Sequence, residues 1–173
     1  MSAWLAFVGL VGLERLAELV VARRNARWSF ERGAVEHGRE HYPAMVALHA
    51  FLLVGCAVEP LLFARPFLPW LGIPAFALVV MAQSLRWWVI RTLGPQWNTR
   101  ILVIPGGPRI DRGPFRWLRH PNYLAVALEG AALPLVHSCW ITALTFTLLD
   151  AAILRIRIDA ENRALRALAP PGG

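Results

Sequence analysis

Two short strings hold the residue types from which a site for a small, charged, polyhydroxy molecule is built. The first is Gly113-Pro114-Phe115-Arg116-Trp117-Leu118-Arg119-His120-Pro121-Asn122-Tyr123. Pro121 suits the first turn of a helix, where its missing N–H costs nothing. The free N–H groups of that helix start then lie beside Arg116, Arg119 and His120, an arrangement suited to an anion such as a carboxylate. The second string is Arg155-Ile156-Arg157-Ile158-Asp159-Ala160-Glu161-Asn162-Arg163. Arg157 and Glu161 stand four apart and share a helix face, in the order that stabilises a helix less. A carboxylate there can accept hydrogen bonds from a diol such as that of a ribose. Each string has a plainer reading: Arg residues as topology signals for the first, an interfacial salt bridge for the second. The order Arg-His-Pro-Asn-Tyr weighs against the plain reading, because topology needs charge and not this succession.

The elements that must hold these strings are apolar. The 173 residues are 57% hydrophobic and 17% charged, with mean hydropathy +0.47. Soluble domains are typically about 45–50% apolar and 25% charged, and a small globule cannot hide the excess. Five apolar segments stand out, at 3–22, 44–63, 68–90, 123–136 and 139–156. The first three approach the ~20 residues that span a bilayer. The fourth is short and meets the fifth across His137-Ser138, so the two read as a tight hairpin. All 18 basic residues are Arg. Five lie between segments one and two, six between three and four, and four at the C-terminal end from Arg155 onward, against Arg65 alone between two and three. This alternation predicts an all-α integral membrane protein of about five spans, with the N-terminus outside and the C-terminus cytoplasmic. Charge placed at span ends does not point to nucleic acid.

One domain is expected over 1–173, with three helices in 1–92 and a cofactor-binding loop, hairpin and C-terminal helix in 93–168. Between Leu93 and Pro121, Gly94-Pro95, Pro105-Gly106-Gly107-Pro108 and Gly113-Pro114 rule out one regular helix. Thr99 to Ile104 is a short β-prone run within what reads as a compact cytoplasmic loop, and a loop of this length is usually functional. Pro170-Pro171-Gly172-Gly173 reads as a frayed tail. Cys56 and Cys139 lack metal-ligand spacing and read as small buried hydrophobes. Glu14 and Glu18 interrupt the first segment, which fits a retained helix better than a signal peptide.

Taken together, the two strings resemble the isoprenylcysteine carboxyl methyltransferase family. Its pattern of Gly-Pro-aromatic-Arg, Arg-His-Pro-x-Tyr, a helical hairpin and Arg-x-x-x-Glu-Glu is matched at Gly113 to Tyr123 and at Arg157 and Glu161. Asn162 stands where the second Glu is common. The resemblance covers roughly 94–165. It implies an S-adenosylmethionine cradle from the cytoplasmic loop and last two helices, with Arg119, His120, Asn122, Tyr123, Arg157 and Glu161 as binding residues. It also implies a lipophilic acceptor entering from the bilayer. No Gly-x-Gly-x-x-Gly follows a strand, so a Rossmann-type methyltransferase is not supported.

The N-terminal half, with Glu14-Arg15-Leu16-Ala17-Glu18-Leu19 and His41-Tyr42-Pro43-Ala44-Met45-Val46-Ala47-Leu48-His49, resembles bacterial members that methylate hydroxyls of long-chain alkylpyrones or alkylresorcinols. Other acceptors compatible with the pattern are an isoprenylcysteine carboxylate or a phospholipid amine, and a non-enzymatic lipid-binding adaptor is the rival of another class. For a phenol, with pKa near ~10, a positioned base helps. Glu129 is the leading candidate, seven residues after Asn122 and on the same helix face, with Arg157 as a second catalytic candidate. Intramembrane carboxylates are functional or paired, and Glu14, Glu18, Arg86 and Asp150 are its rivals or partners. Trp97 reads either as an interfacial aromatic or as a ring stacking on adenine. His37 and His41 stand four apart without a third ligand fixed by spacing, and His41 and His49 read as residues of the substrate mouth or of the second helix start.

Overall fold

The computed structural model describes residues 1–108 and 110–167. Arg109, one of the six Arg after segment three, and the tail at Pro170-Pro171-Gly172-Gly173 lie outside the described residues. Five helices form the body: α1 Ser2–Phe30, α2 Tyr42–Phe63, α3 Pro69–Leu93, α4 Pro121–Leu135 and α5 Trp140–Ala167. Each apolar segment falls in its own helix. The first and last helices run well past their apolar parts, since Arg, Ala and Glu are good helix formers whether or not they are buried.

One expectation needs correction. The chain is not wholly α-helical, because β1 (Val35–His37) pairs antiparallel with β2 (Ile101–Val103), with His37 opposite Ile101. The β-prone run around Ile101 supplies one strand. Its partner carries no periodic signal, since three residues are too few. Gly33 (φ +75°) and Gly38 (φ +61°) turn the chain on either side of β1 in the left-handed region that glycine tolerates.

Residues 39–63 and 69–96 are long and apolar enough to cross a membrane, with mean hydropathies of 2.0 and 1.5. The other three helices fall short of that measure for identifiable reasons. Glu14, Arg15 and Glu18 interrupt α1, α4 has 15 residues, and Asp150, Arg155 and Arg157 interrupt α5. Yet Leu10, Leu13, Leu16 and Val20 on α1, and Leu144, Leu148 and Leu149 on α5, are each more than half exposed. An apolar surface of this extent is foreign to a soluble monomer.

The two ends of the bundle differ. At one end the α2–α3 and α4–α5 turns meet the N-terminus: the His137 ring lies 5.3 Å from that of Trp4 and 6.3 Å from that of Phe67. Below it, Val8, Leu48, Leu52, Val79, Leu133 and Phe146 form the larger core. Here α4 and α5 pack closely because Gly130 has no Cβ to collide with the Phe146 ring. At the other end lie the Arg-rich connections, the β1–β2 ribbon and a smaller core of Ala22, Val89, Ile90 and Trp97.

The start of α5 is capped from another helix. The buried Glu59 carboxylate of α2 accepts from the backbone N–H groups of Ile141 (3.1 Å) and Thr142 (2.8 Å) and from the Thr142 hydroxyl (2.8 Å), while Arg65 donates to it at 3.0 Å. It thereby satisfies two of the four unpaired donors that begin a helix. Replacing Glu59 with Ala is expected to cost about 2–3 kcal/mol, combining a lost cap with buried donors left unpaired. Glu59→Gln should recover part of that loss. Thermal unfolding of the detergent-solubilised variants measures it, and an unchanged midpoint for Glu59→Ala would refute the cap.

Candidate functional site

The site is built where α4 begins. Pro121 occupies the first turn of the helix, and the backbone leaves the helical region at His120. Upstream, Gly113 (φ +59°) opens a short 3-10 turn over Gly113–Arg116. A Cβ there would collide with Thr92, so glycine lets the segment lie against the end of α3. Proline and glycine thus bring His120 and Tyr123 to the flank of α5.

There the two strings meet. The Tyr123 hydroxyl donates to Glu161 Oε2 at 2.5 Å, and His120 Nδ1 lies 3.7 Å from Glu161 Oε1. The His120 and Tyr123 rings are tilted 31° to each other with centroids 5.6 Å apart. One turn back on α5, the buried Arg157 donates from Nη2 to the Thr99 carbonyl at 2.8 Å. Its Nε has no partner. His120, Tyr123, Arg157 and Glu161, 38 residues apart at the Tyr123–Glu161 bond, therefore form one cluster. Glu161 and, more weakly, Asn162 hold the His120 pKa above its ordinary value, while partial burial and Arg119 work against them.

The other expected residues stand apart. Arg119 is exposed and makes no ion pair among the described residues. Trp97 is 2% exposed, packed with Ala22, Val89 and Ile90. It packs as a core residue in this structure. Its indole N–H points toward Asn122 Oδ1 at 3.5 Å, and its carbonyl accepts from Asn25 at 2.8 Å. Trp97 thus supports the start of α4 from behind. The Thr99 carbonyl, which anchors Arg157, escapes sequence reading because no side-chain pattern marks a backbone acceptor.

Glu129 belongs to a second cluster, buried between α1, α3 and α4. Arg86 donates to its Oε2 at 2.5 Å and Arg15 lies 3.2 Å from its Oε1. Arg15 also donates to Glu18 at 2.7 Å and to Gln83 at 2.8 Å. Glu14 accepts from Gln83 and, at 2.7 Å, from Trp87. Both Glu129 oxygens are therefore engaged by guanidinium groups. Beside this cluster, an open cleft of about 540 Å³ between α1 and α3 is lined by Phe7, Leu10, Val80 and Trp87 together with Glu14 and Gln83. Among the described residues, no group of three or more His, Cys, Asp or Glu is placed to hold a metal ion.

Comparison with known proteins adds a family and two relatives. The isoprenylcysteine carboxyl methyltransferase family pattern matches residues 75–167. The chain is 39% identical to the uncharacterized protein YpbQ of Bacillus subtilis, across 94% of this chain and 96% of that one. It is 26% identical to an uncharacterized protein of Haemophilus influenzae, across 90% and 91% of the two.

Two predictions follow from the geometry. Arg86→Met or Glu129→Met alone removes the shortest contact of the buried network and leaves its partner only the longer one, to Arg15 or to Glu18, and is expected to cost about 3 kcal/mol, whereas the double Met variant leaves Arg15 facing Glu18 and should recover most of it. Additive losses in thermal unfolding would show the pair is not coupled. For His120 the folded pKa lies above the unfolded value of ~6.5. Its pairing therefore stabilises fully below about pH 6.5 and is lost as pH rises through the folded value. The midpoint gap between the parent and Glu161→Gln should accordingly be wider near pH 6 than at alkaline pH, and a gap that widens with pH would contradict the pairing.

Proposed function

Because the chain belongs to the isoprenylcysteine carboxyl methyltransferase family, whose members are membrane methyltransferases, we propose that it transfers a methyl group from S-adenosylmethionine to an oxygen of a lipophilic acceptor. The observation that carries this reading is the Glu161 carboxylate bridging Tyr123 and His120, with Arg157 one turn away. The two strings that define the resemblance fold onto one another although a helical hairpin separates them.

The donor set fits the cofactor. Glu161 is a carboxylate able to accept from a ribose diol. Arg157 keeps an unpartnered buried Nε, and a buried donor without an acceptor is unfavourable until a ligand supplies one. His120 carries positive charge below its raised pKa, which suits a carboxylate, and the exposed Arg119 adds to the same field. When bound, the cofactor supplies an electrophilic methyl group on a sulfonium. In the overall reaction an acceptor O–H loses its proton, a methyl–oxygen bond forms and the sulfur–methyl bond breaks, leaving S-adenosylhomocysteine. The protein's share is chiefly to position the two reactants and to exclude water. Arg157 and Glu161 hold the donor side, and α1 and α3 present the apolar cleft to the bilayer.

In this reading the chain is one membrane-embedded unit of five spans, with the N-terminus outside and the cradle cytoplasmic. The exposed leucines of α1 and α5 and the gathering of Arg-rich connections at one end support that topology. The acceptor we propose is a long-chain alkylresorcinol or alkylpyrone, whose tail suits the α1–α3 cleft and whose hydroxyl is a donor for Glu14. For Glu129 to act as the base, its 3.2 Å contact with Arg15 must open while Arg86 stays in place.

The test is transfer of labelled methyl groups in detergent or vesicles, with alkylresorcinol, alkylpyrone, farnesyl-cysteine and phosphatidylethanolamine offered side by side. The phenolic acceptors should be methylated, and Glu161→Ala and Arg157→Ala should lower the rate at least ~100-fold, the usual scale for removing a group that orients a reactant. If Glu129 is the base, Glu129→Gln slows the phenol while the cofactor still binds. Methylation of farnesyl-cysteine or of the amine instead would replace the acceptor assignment. No transfer to any of them and no cofactor binding would leave a lipid-binding adaptor.

A further inference from the structure

We propose that the β1 strand and the turn after it are a wall of the cofactor cradle, with His41 and His37 contacting the bound cofactor directly. The inference rests on the methyltransferase reading and extends it to a part of the chain outside the matched residues 75–167. Three polar atoms in this region are sealed from solvent without any partner: His37 Nε2, His41 Nδ1 and Arg157 Nε. Native proteins leave few such atoms, and each calls for an explanation.

The segments that carry them are brought together for a structural reason. Gly38, at φ +61°, presses the corner after β1 onto α5. A Cβ built there would lie 3.1 Å from His41 Nδ1 and 3.5 Å from the Ala160 Cβ. Ala160 precedes Glu161 and lies within a turn of Arg157. A second link runs through Thr99, whose carbonyl accepts from Arg157 at 2.8 Å and whose hydroxyl lies 3.3 Å from that of Tyr42, the residue after His41. The ribbon register adds a third, setting His37 opposite the buried Ile101.

The chemistry of these atoms describes what they face. His41 Nε2 lies 3.4 Å from Glu40 Oε1. That contact favours the proton on Nε2 and leaves Nδ1 as an acceptor. Arg157 Nε can only donate. A complementary ligand therefore presents a donor to His41 Nδ1 and an acceptor to Arg157 Nε. An S-adenosyl compound offers this twice, as the amino and ring nitrogens of adenine and as the ammonium and carboxylate of its amino-acid end.

The test is equilibrium dialysis of labelled S-adenosylhomocysteine against the full-length protein in detergent, with His41→Ala, His37→Ala and His41→Gln. Both Ala variants should bind at least ten-fold more weakly than the parent, and His41→Gln, whose amide oxygen can still accept, should lie between. Unfolding without ligand separates contact from structure. Removing an unpartnered buried group should leave the ligand-free midpoint equal or higher while shrinking the ligand-induced rise. Ala variants that bind within two-fold of the parent would overturn the inference, as would a weaker affinity accompanied by a lower ligand-free midpoint. A parent that does not bind would remove the cofactor reading and this inference together. Methylthioadenosine, which lacks the amino-acid end, assigns the contact: an equal loss on both ligands points to adenine, and a loss on S-adenosylhomocysteine alone points to the amino-acid end.

Discussion

A charged network in the middle of an apolar bundle is the constraint on which the rest of the molecule depends. Arg15, Glu18, Arg86 and Glu129 join α1, α3 and α4 between the larger core and the smaller one. Each of these groups is costly to bury alone, and the cost is offset only when the geometry of the set is right. The network therefore specifies how the three helices align along their axes in a way that apolar packing does not, since leucines tolerate small slips and a guanidinium–carboxylate contact does not. Two turns along α4 from Glu129 sit Asn122 and Tyr123. A shift of α4 by one residue would rotate Tyr123 away from Glu161 and disperse the cradle.

The division of labour along α4 follows from this. Its buried middle bonds to α1 and α3, while its first turn meets α5 and the connection between α3 and α4. Pro121 begins the helix at a defined residue, so the distance between the ion network and the cradle is set by covalent geometry at about 1.5 Å per residue. Gly130 does the equivalent for α5, allowing the close approach to Phe146 that brings Glu161 within reach. The polar residues that matter to the site are thus positioned by a proline, a glycine and a set of ion pairs, none of which is among the proposed cofactor contacts.

Much of this was legible in the sequence. The five helices follow from runs of apolar residues long enough to need no subtler signal. The start of α4 at Pro121 follows from the way proline fixes φ without needing its missing N–H. That His120, Tyr123, Arg157 and Glu161 would meet was legible only through resemblance, since spacing within a string says nothing of contact across a hairpin. Three features were not legible, for physical reasons. The β1 strand is too short to show a period. The Thr99 carbonyl is a backbone group, identical at every residue. Trp97 offers the same indole whether it is enclosed or open, so its place in the smaller core is not marked in the sequence. Glu129 was ambiguous for a related reason: a carboxylate within an apolar helix signals either a reaction or a partner, and only the positions of Arg15 and Arg86 reveal the partners.

The most direct test of the cradle is photolabelling with an 8-azidoadenosyl analogue of S-adenosylmethionine, followed by mass-spectrometric mapping of the attached adenine. Labels on the peptides around 113–123 and 155–163, abolished by excess S-adenosylhomocysteine, are the result expected if the two strings form the binding site. Labels confined to the α1–α3 cleft, or labelling that competitor does not suppress, would contradict that assignment.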